Sequence, residues 1–268
     1  MGTINYQMSY YDYGKTLSAE GNMSALIFNG KNDRHEYVDL GLPSGTLWAT
    51  CNVGANTPEE YGLYFALGET KGYTAEQVIN GEKGFAWDEW QDASGNTHQG
   101  DYKFGEFDEN DPDLGMTKYN NTDGLTELEP SDDAATANWG SGWRMPTADD
   151  FQELLNNTEH SWDSERSGYT FTSTANTNTL FFAAAGGAGG GEVRGVGGVG
   201  NYWSSSLNDE NVSNAFGLYF DGNGSDVYGS NRCVGYSVRP VIPGEENSEG
   251  DNNGEFSGDT GDNGGKKN

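Results

Sequence analysis

Positive charge is scarce in this chain: 14 lysines and arginines stand against 42 aspartates and glutamates, a formal net charge of −28 over 268 residues. Such a surface repels nucleic-acid phosphates and anionic membrane faces, so neither is expected as a partner. Most of these carboxylates read as solvated surface that keeps the protein in solution. Long apolar runs are absent too, and nothing approaches the length of a membrane-crossing helix, so membrane insertion is not expected. The first 30 residues carry no basic start followed by an apolar stretch, so no secretory signal is read there. The expected location is nonetheless extracellular, on a cell surface or a virion, with the signal removed or another exit route used.

Cysteine and the other residues of covalent and metal chemistry are also few. Cys51 and Cys233 have a spacing that demands no disulfide. Both are expected as free thiols, Cys51 buried in an apolar strand and Cys233 near the surface. His35, His98 and His160 each stand alone among polar neighbours, with no second His or Cys at metal-ligand spacing, which argues against zinc. There is no GxSxG elbow and no GxxxxGK[ST] phosphate loop. The acidic loop Asp108–Asp113 fails the EF-hand pattern, because Pro112 and Asp113 replace the third ligand and the turn glycine. Acids are so numerous that chance pairs carry no signal for a paired-carboxylate glycosidase. No catalytic residue, metal or cofactor is assigned, and the protein is expected not to be an enzyme.

What the chain does have is aromatic and small. The hydrophobic fraction is only 33%, but aromatics make up 13% with seven tryptophans, which separates the chain from disordered sequences. Its 41 glycines follow no collagen-like period. A loop-rich folded domain, β or α+β, is indicated; the elements read below and the resemblance that follows make the expected fold α+β, with short antiparallel strands, two short helices and long loops. Residues 1–35 read as an N-terminal extension in which MSALIFNG offers one short strand. Residues 36–243 read as the domain. Residues 244–268, acidic and rich in glycine and asparagine, read as a disordered tail.

Inside the domain, Tyr37–Leu40 alternates, Leu42-Pro43-Ser44-Gly45 turns and Thr46–Cys51 reads as a strand, so a hairpin is predicted. Thr57-Pro58-Glu59-Glu60 carries helix-start chemistry, and Tyr61, Tyr64 and Phe65 would share one face of a first short helix. Residues 71–130 are too long for a structureless connection and must hold local elements or a function. Thr147 and Asp150 form a variant capping box that opens a second helix, with Phe151, Leu154 and Leu155 on one face and an end near Asn156-Asn157. Strands follow at 169–174 and 179–184. The glycine stretch 186–200 reads as a flexible loop that lets a neighbouring backbone approach closely, and three or four short strands fill 201–243.

Five segments, in order, carry a resemblance: EYVDLGLPSGTLWATCNVGA, TPEEYGLYFALGET, DDAATANWGSGWRMPTADDFQELL, GNYWSSS and GYSVRPV. Together they resemble the Fibrobacter succinogenes major paralogous domain, from about Glu36 to Pro243. The resemblance implies a C-type-lectin fold related to formylglycine-generating-enzyme-like domains. It also implies kinship with the variable proteins of diversity-generating retroelements, whose C-terminal stretch is mutated to vary ligand binding. The EPN, QPD and WND calcium motifs of sugar-binding C-type lectins do not occur, Glu129-Pro130-Ser131 being a near miss. Nor does the cysteine pair of formylglycine-generating enzymes, since Cys233 stands alone in the C-terminal part. Neither activity is implied.

The C-terminal stretch suits ligand display on its own terms. Phe216, Leu218 and Phe220 alternate and should face the core, leaving Gly217, Tyr219 and Asp221 outward. Val227 should point in, with Asp226 and Tyr228 out. Trp203, Val238 and Val241 read as structural. Tyrosine offers contact area at small entropic cost, and small polar residues offer adaptable hydrogen bonds. Adenine-directed mutagenesis of an Asn codon yields Tyr, Asp, Ser, Gly or Cys, and that menu covers Asn208, Asn211, Asn214, Asp221, Asn223, Tyr228, Asn231 and Cys233. The same residues also favour loops. The candidate ligand-binding set adds Asn201, Tyr202, Gly217, Tyr219, Asp226, Ser230 and Val234 to these eight. The expected partner is a cell-surface protein or glycan. A structural surface or phage-tail component without a variable site, and an enzyme of glycosidase or formylglycine-type oxidase kind, remain as alternatives.

Overall fold

The computed structural model describes residues 35–105 and 115–244 in full, preceded by the backbone of three strands within the first 32 residues. The acidic loop Asp108–Asp113 and the tail from 245 onward lie outside the described residues. Mostly antiparallel strands in several small sheets, with three short α-helices among the described residues rather than the two expected, make the fold α+β.

In the N-terminal segment, β1 (Ser9–Asp12) and β2 (Lys15–Ser18) form a hairpin. The third strand, β3 (Asn29–Asn32), overlaps the strand expected in MSALIFNG only at its end, and it pairs with β4 (His35–Asp39). The expected hairpin follows: β4 pairs with β5 (Leu47–Ala49), Tyr37 opposite Ala49, through a turn in which the Gly45 N–H donates to the Leu42 carbonyl. On its other side β5 takes β16 (Val241–Ile242), so the end of the domain closes onto its beginning.

The helix expected after Thr57 does not form. Only a single turn is present, Glu60 N–H to Thr57 carbonyl. Beyond it Tyr64 and Phe65 are extended, bridged to Tyr73 and Tyr236, and the Tyr64 hydroxyl donates to the Ala185 carbonyl at 2.6 Å. Tertiary pairing overrides a local helical pattern that spanned barely one turn. The long segment 71–130 instead holds α1 (Ala75–Ile79), capped reciprocally by Thr74 and Gln77, and a small hairpin of β6 (Trp90–Gln91) and β7 (Thr97–His98).

Asp133 caps α2 (Ala134–Trp139), accepting from the Thr136 N–H at 2.8 Å. The predicted capping box opens α3 (Ala148–Asn156): the Asp150 N–H donates to the Thr147 hydroxyl at 3.0 Å and the Thr147 N–H to Asp150 at 2.7 Å. Phe151 and Leu154 are buried and Leu155 packs beside them. A three-stranded sheet of β8 (Thr158–Asp163), β9 (Gly168–Ser173) and β10 (Thr179–Ala183) follows, β9 and β10 close to the expected bounds and β8 an unexpected edge strand.

The glycine stretch is ordered rather than a flexible loop. It contains the hairpin of β11 (Gly187–Gly189) and β12 (Glu192–Arg194) and the start of β13 (Val199–Leu207). Close backbone approach is the part of the expectation that holds: a Cβ on Gly186 would lie 2.1 Å from the Arg194 carbonyl oxygen. A final antiparallel sheet joins β13, β14 (Asn214–Asp221) and β15 (Gly224–Asn231) in that order.

Two packed regions hold the body together. One gathers Trp48, Phe151, Phe171, Phe182, Tyr202, Leu218 and Phe220; the other gathers Tyr64, Phe65, Phe85, Trp143, Trp203 and Val238. The five quoted segments meet there. Arg239, from GYSVRPV, is fully buried and donates to Asn52 Oδ1 and to the carbonyls of Ala49, Thr50 and Phe181. Trp203, from GNYWSSS, donates to the Phe65 carbonyl at 2.9 Å, and Arg144 bridges Val241.

Candidate functional site

Register decides which residues of the last sheet share a face. Tyr219 stands opposite Asp226 and Asn201, and Gly217 opposite Tyr228 and Trp203. Directly opposed residues of an antiparallel pair lie on the same side. One face therefore carries Asn201, Trp203, Gly217, Tyr219, Asp221, Asp226, Tyr228 and Ser230. The other carries Tyr202, Leu218, Phe220 and Val227, packed with Phe151 and Leu154 of α3. The alternation read from sequence thus holds along β14 and β15, with Phe216 half-buried at its end.

The polar face is a connected network. Tyr219 and Tyr228 meet edge to face at 5.7 Å, and the Tyr219 hydroxyl donates to Asp221 at 2.9 Å. The Tyr228 hydroxyl donates to Asn201 Oδ1 at 3.1 Å and lies 3.3 Å from the Tyr236 hydroxyl, which is itself 2.7 Å from Ser230 Oγ. Burial pushes the Tyr236 phenol well above its ordinary pKa, so it stays neutral. The Asn223 backbone N–H and the Tyr219 hydroxyl hold the Asp221 carboxyl below its ordinary value. The face therefore presents tyrosine and serine hydroxyls beside two aspartates, Asp226 exposed and Asp221 half-buried.

Fifteen residues were expected at the site, and exposure sorts them. Asn211, Asn223 and Asp226 are exposed. Asn208, Asn214, Tyr219, Asp221, Tyr228, Ser230, Asn231 and Val234 are half-buried. Four are buried and require correction. Tyr202 belongs to the opposite face, and its hydroxyl donates to the Ala183 carbonyl at 2.7 Å. Asn201 supports the network from below, donating to the Gly186 carbonyl at 3.1 Å. Gly217 is covered: a Cβ there would sit 2.6 Å from the Tyr202 carbonyl oxygen. Cys233, expected near the surface, is 4% exposed, while Cys51 is only half-buried; both are free thiols.

The segment 83–101 explains the burial of Cys233. Trp87 Nε1 donates to Asn231 Oδ1, which also accepts from the Cys233 N–H. Phe85 packs where a Cβ on Gly235 would fall. Burial pushes the Cys233 thiol up to about 12. Lys83 anchors this wall, donating to Glu69 at 2.9 Å and to the Asp101 carbonyl at 2.5 Å. Sequence reasoning missed Trp87 and Tyr236 at the site. The available signal was the cluster Phe85, Trp87 and Trp90 in an otherwise polar insertion.

The histidines are not isolated either. His35 stacks on Trp139 at 3.6 Å; His98 stacks on Trp90 at 4.3 Å and lies 3.0 Å from Asp92; His160 leans on Tyr169 and Phe171. Buried carboxylates have structural employment: Asp133 and Asp150 cap helices, Asp132 meets Lys103, Lys118 and Tyr119, and Glu69 meets Lys83. Among the described residues no three His, Cys, Asp or Glu side chains gather as metal ligands, and no helix is long and apolar enough to cross a membrane. Comparison with known family models, with curated proteins and with solved structures returned no match.

Proposed function

We propose that this protein is a non-catalytic ligand-binding protein of the C-type-lectin type, an adhesin or receptor-binding protein displayed on a cell surface or a virion. It recognises a cell-surface protein or glycan through the polar face of β13, β14 and β15. The observation that carries this reading is the one-sided sheet. Leu218, Phe220 and Val227 are packed against α3, while Tyr219, Asp221, Asp226, Tyr228 and Ser230 share the other face with partial exposure. Short antiparallel strands, short helices and long loops support the C-type-lectin reading. So does the convergence of the five resembling segments into a common core. Structural engagement of the buried carboxylates and a thiol raised to about 12 favour binding over catalysis. A net charge of −28 disfavours nucleic acid as the ligand.

The test is capture by labelled protein on a glycan array and a panel of intact cells. The comparison is a triple variant, Tyr219→Ala with Asp226→Ala and Tyr228→Ala. Loss of capture by a variant that melts cooperatively supports the face as the site; undiminished capture sinks it. Diversification has its own test, sequencing the gene across one population. Under this proposal variants concentrate at exposed and half-buried positions such as Asn211, Tyr219, Asn223 and Asp226, in adenine-derived codons. An even spread along the chain refutes it.

A further inference from the structure

Away from that face, a half-open cleft of about 160 Å³ lies between the 119–126 loop and the connection from β13 to β14. Its apolar lining is Tyr119, Leu125, Leu207 and Val212; its polar lining includes Asn121, Thr126, Asn208 and Asp209. The cleft is braced from beneath. Arg232, fully buried, donates from Nη1 to the carbonyls of Tyr119 and Val212, 2.9 Å each, one on either wall. Leu207 N–H to the Thr126 carbonyl, at 2.8 Å, ties the walls a second time. Tyr119 has φ of 59°, a strained value for a bulky side chain, and Asp123 holds it there by accepting from the Tyr119 and Asn120 N–H groups. The cleft is thus preformed, the state in which ordering costs on binding are smallest.

Chemistry narrows the occupant. Pockets for drug-sized ligands run to roughly 300–1,000 Å³, so this cleft accepts a single ring. An apolar floor beside several hydrogen-bonding groups matches a molecule with one C–H face and a hydroxylated edge. The side chains of Asn121, Thr126 and Asp209 make no hydrogen bonds to other described residues, which leaves them available. The Asp209 side chain lines the opening and Asp123 sits behind it on the 119–126 loop, in a chain of formal net charge −28. Burial at Asp123 is outweighed by the Leu125, Tyr119 and Asn120 N–H donors, so its carboxyl titrates below the ordinary value and stays ionised. The Arg232 guanidinium beneath the cleft is taken up by protein acceptors on every side, so the net charge of −28 leaves an anionic ligand disfavoured.

The geometry points to a binding subsite for one neutral sugar residue, free or at the end of a glycan. It is formed by the 119–126 loop and the connection between β13 and β14, and it is separate from the Tyr219–Tyr228 face. The test uses saturation-transfer NMR with the methyl glycosides of glucose, galactose, mannose and N-acetylglucosamine, and with N-acetylneuraminic acid as the anionic comparison. At least one neutral glycoside is expected to respond. Asn121→Trp, at an exposed position, should abolish that response by filling the cleft, and Asp209→Ala should weaken it about tenfold, the worth of one hydrogen bond to a charged group. Melting curves check that both variants fold. The Tyr219, Asp226 and Tyr228 triple variant should respond like the parent, so failure of the main site and failure of this one are distinguishable. Immobilised oligosaccharides ending in the responding sugar separate the sources: capture assigns a glycan terminus, and its absence assigns the free sugar. Silence across the neutral panel, a response untouched by Asn121→Trp, or an equal response to N-acetylneuraminic acid overturns the proposal.

Discussion

Replacing Arg232 by methionine keeps the aliphatic stem and removes a guanidinium that is wholly buried. That group has four hydrogen bonds: to the carbonyls of Tyr119, Val212 and Lys118 at 2.9, 2.9 and 3.2 Å, and to the Tyr102 hydroxyl at 3.1 Å. None of its partners is a carboxylate. Losing it strands three carbonyls, at roughly 1–3 kcal/mol each if no water reaches them. Against this, the variant no longer buries a charge, an effective relief of several kcal/mol. The balance is a loss of about 3 kcal/mol, the stranded carbonyls outweighing the relieved charge. For a domain of this size that lowers Tm by about 6–12 °C. Calorimetric melting and urea titration measure it directly. Lysine at 232 should recover under half of the loss, because an ammonium cannot span acceptors on three segments as a planar fork does. A methionine variant within about 1 kcal/mol of the parent refutes the reasoning, and with it the idea that Arg232 braces the 119–126 loop.

Further outcomes follow from the same contacts. Burial raises the Asp150 carboxyl's pKa, but Arg144 and Thr147 outweigh it and hold the folded value below the ordinary one. Its stabilising contribution is then complete above the unfolded value, about 3.9, and lost as pH falls through the lower folded value. Asp150→Asn should flatten the acid limb of a stability–pH curve below about pH 4, and an unchanged limb counts against this assignment. Native protein should show Cys51 reacting with a disulfide reagent and Cys233, raised to about 12, reacting only after denaturation; two fast thiols contradict the Trp87 wall. Gly217→Ala should cost about 1–3 kcal/mol by overpacking against the Tyr202 carbonyl, read by urea titration, and a neutral effect means the face is more open there than described.

Much of the fold was legible where the period was long enough to matter. The capping box at Thr147 and Asp150, the hairpin around Pro43-Ser44-Gly45, and the alternation through Phe216, Leu218 and Phe220 each contain their own local cause. The failed helix after Thr57 shows the limit. Its signal covered one turn, and residues 9 and 171 positions away in sequence, Tyr73 for Tyr64 and Tyr236 for Phe65, supplied stronger backbone partners. Glycine misled in a different way. Its permissiveness was read as mobility in 186–200, whereas here it permits tight hairpin packing.

The site was half-legible for a related reason. Alternation assigns a residue to a face, but it does not say whether something else covers that face. Gly217 was read as outward-facing and Asn201 as a ligand contact, yet both are buried: the Trp203 ring lies against Gly217, and the Tyr228 hydroxyl donates to Asn201. Cys233 was misplaced because its cover, Trp87, lies 146 positions earlier in sequence, in a segment whose pattern gave no hint of its destination. What stays exposed or half-buried after that covering is narrower than the sequence suggested: the β14–β15 end, with Asn223 and Asp226 exposed and Tyr219 and Asp221 half-buried, and the Asn208–Asn211 turn. A scaffold that fixes Asn201, Tyr202, Gly217 and Cys233 in packed positions while leaving those two edges free can tolerate substitution at the edges alone. Under the proposed diversification, variants should therefore concentrate at those edges, because a new side chain there meets solvent rather than the core.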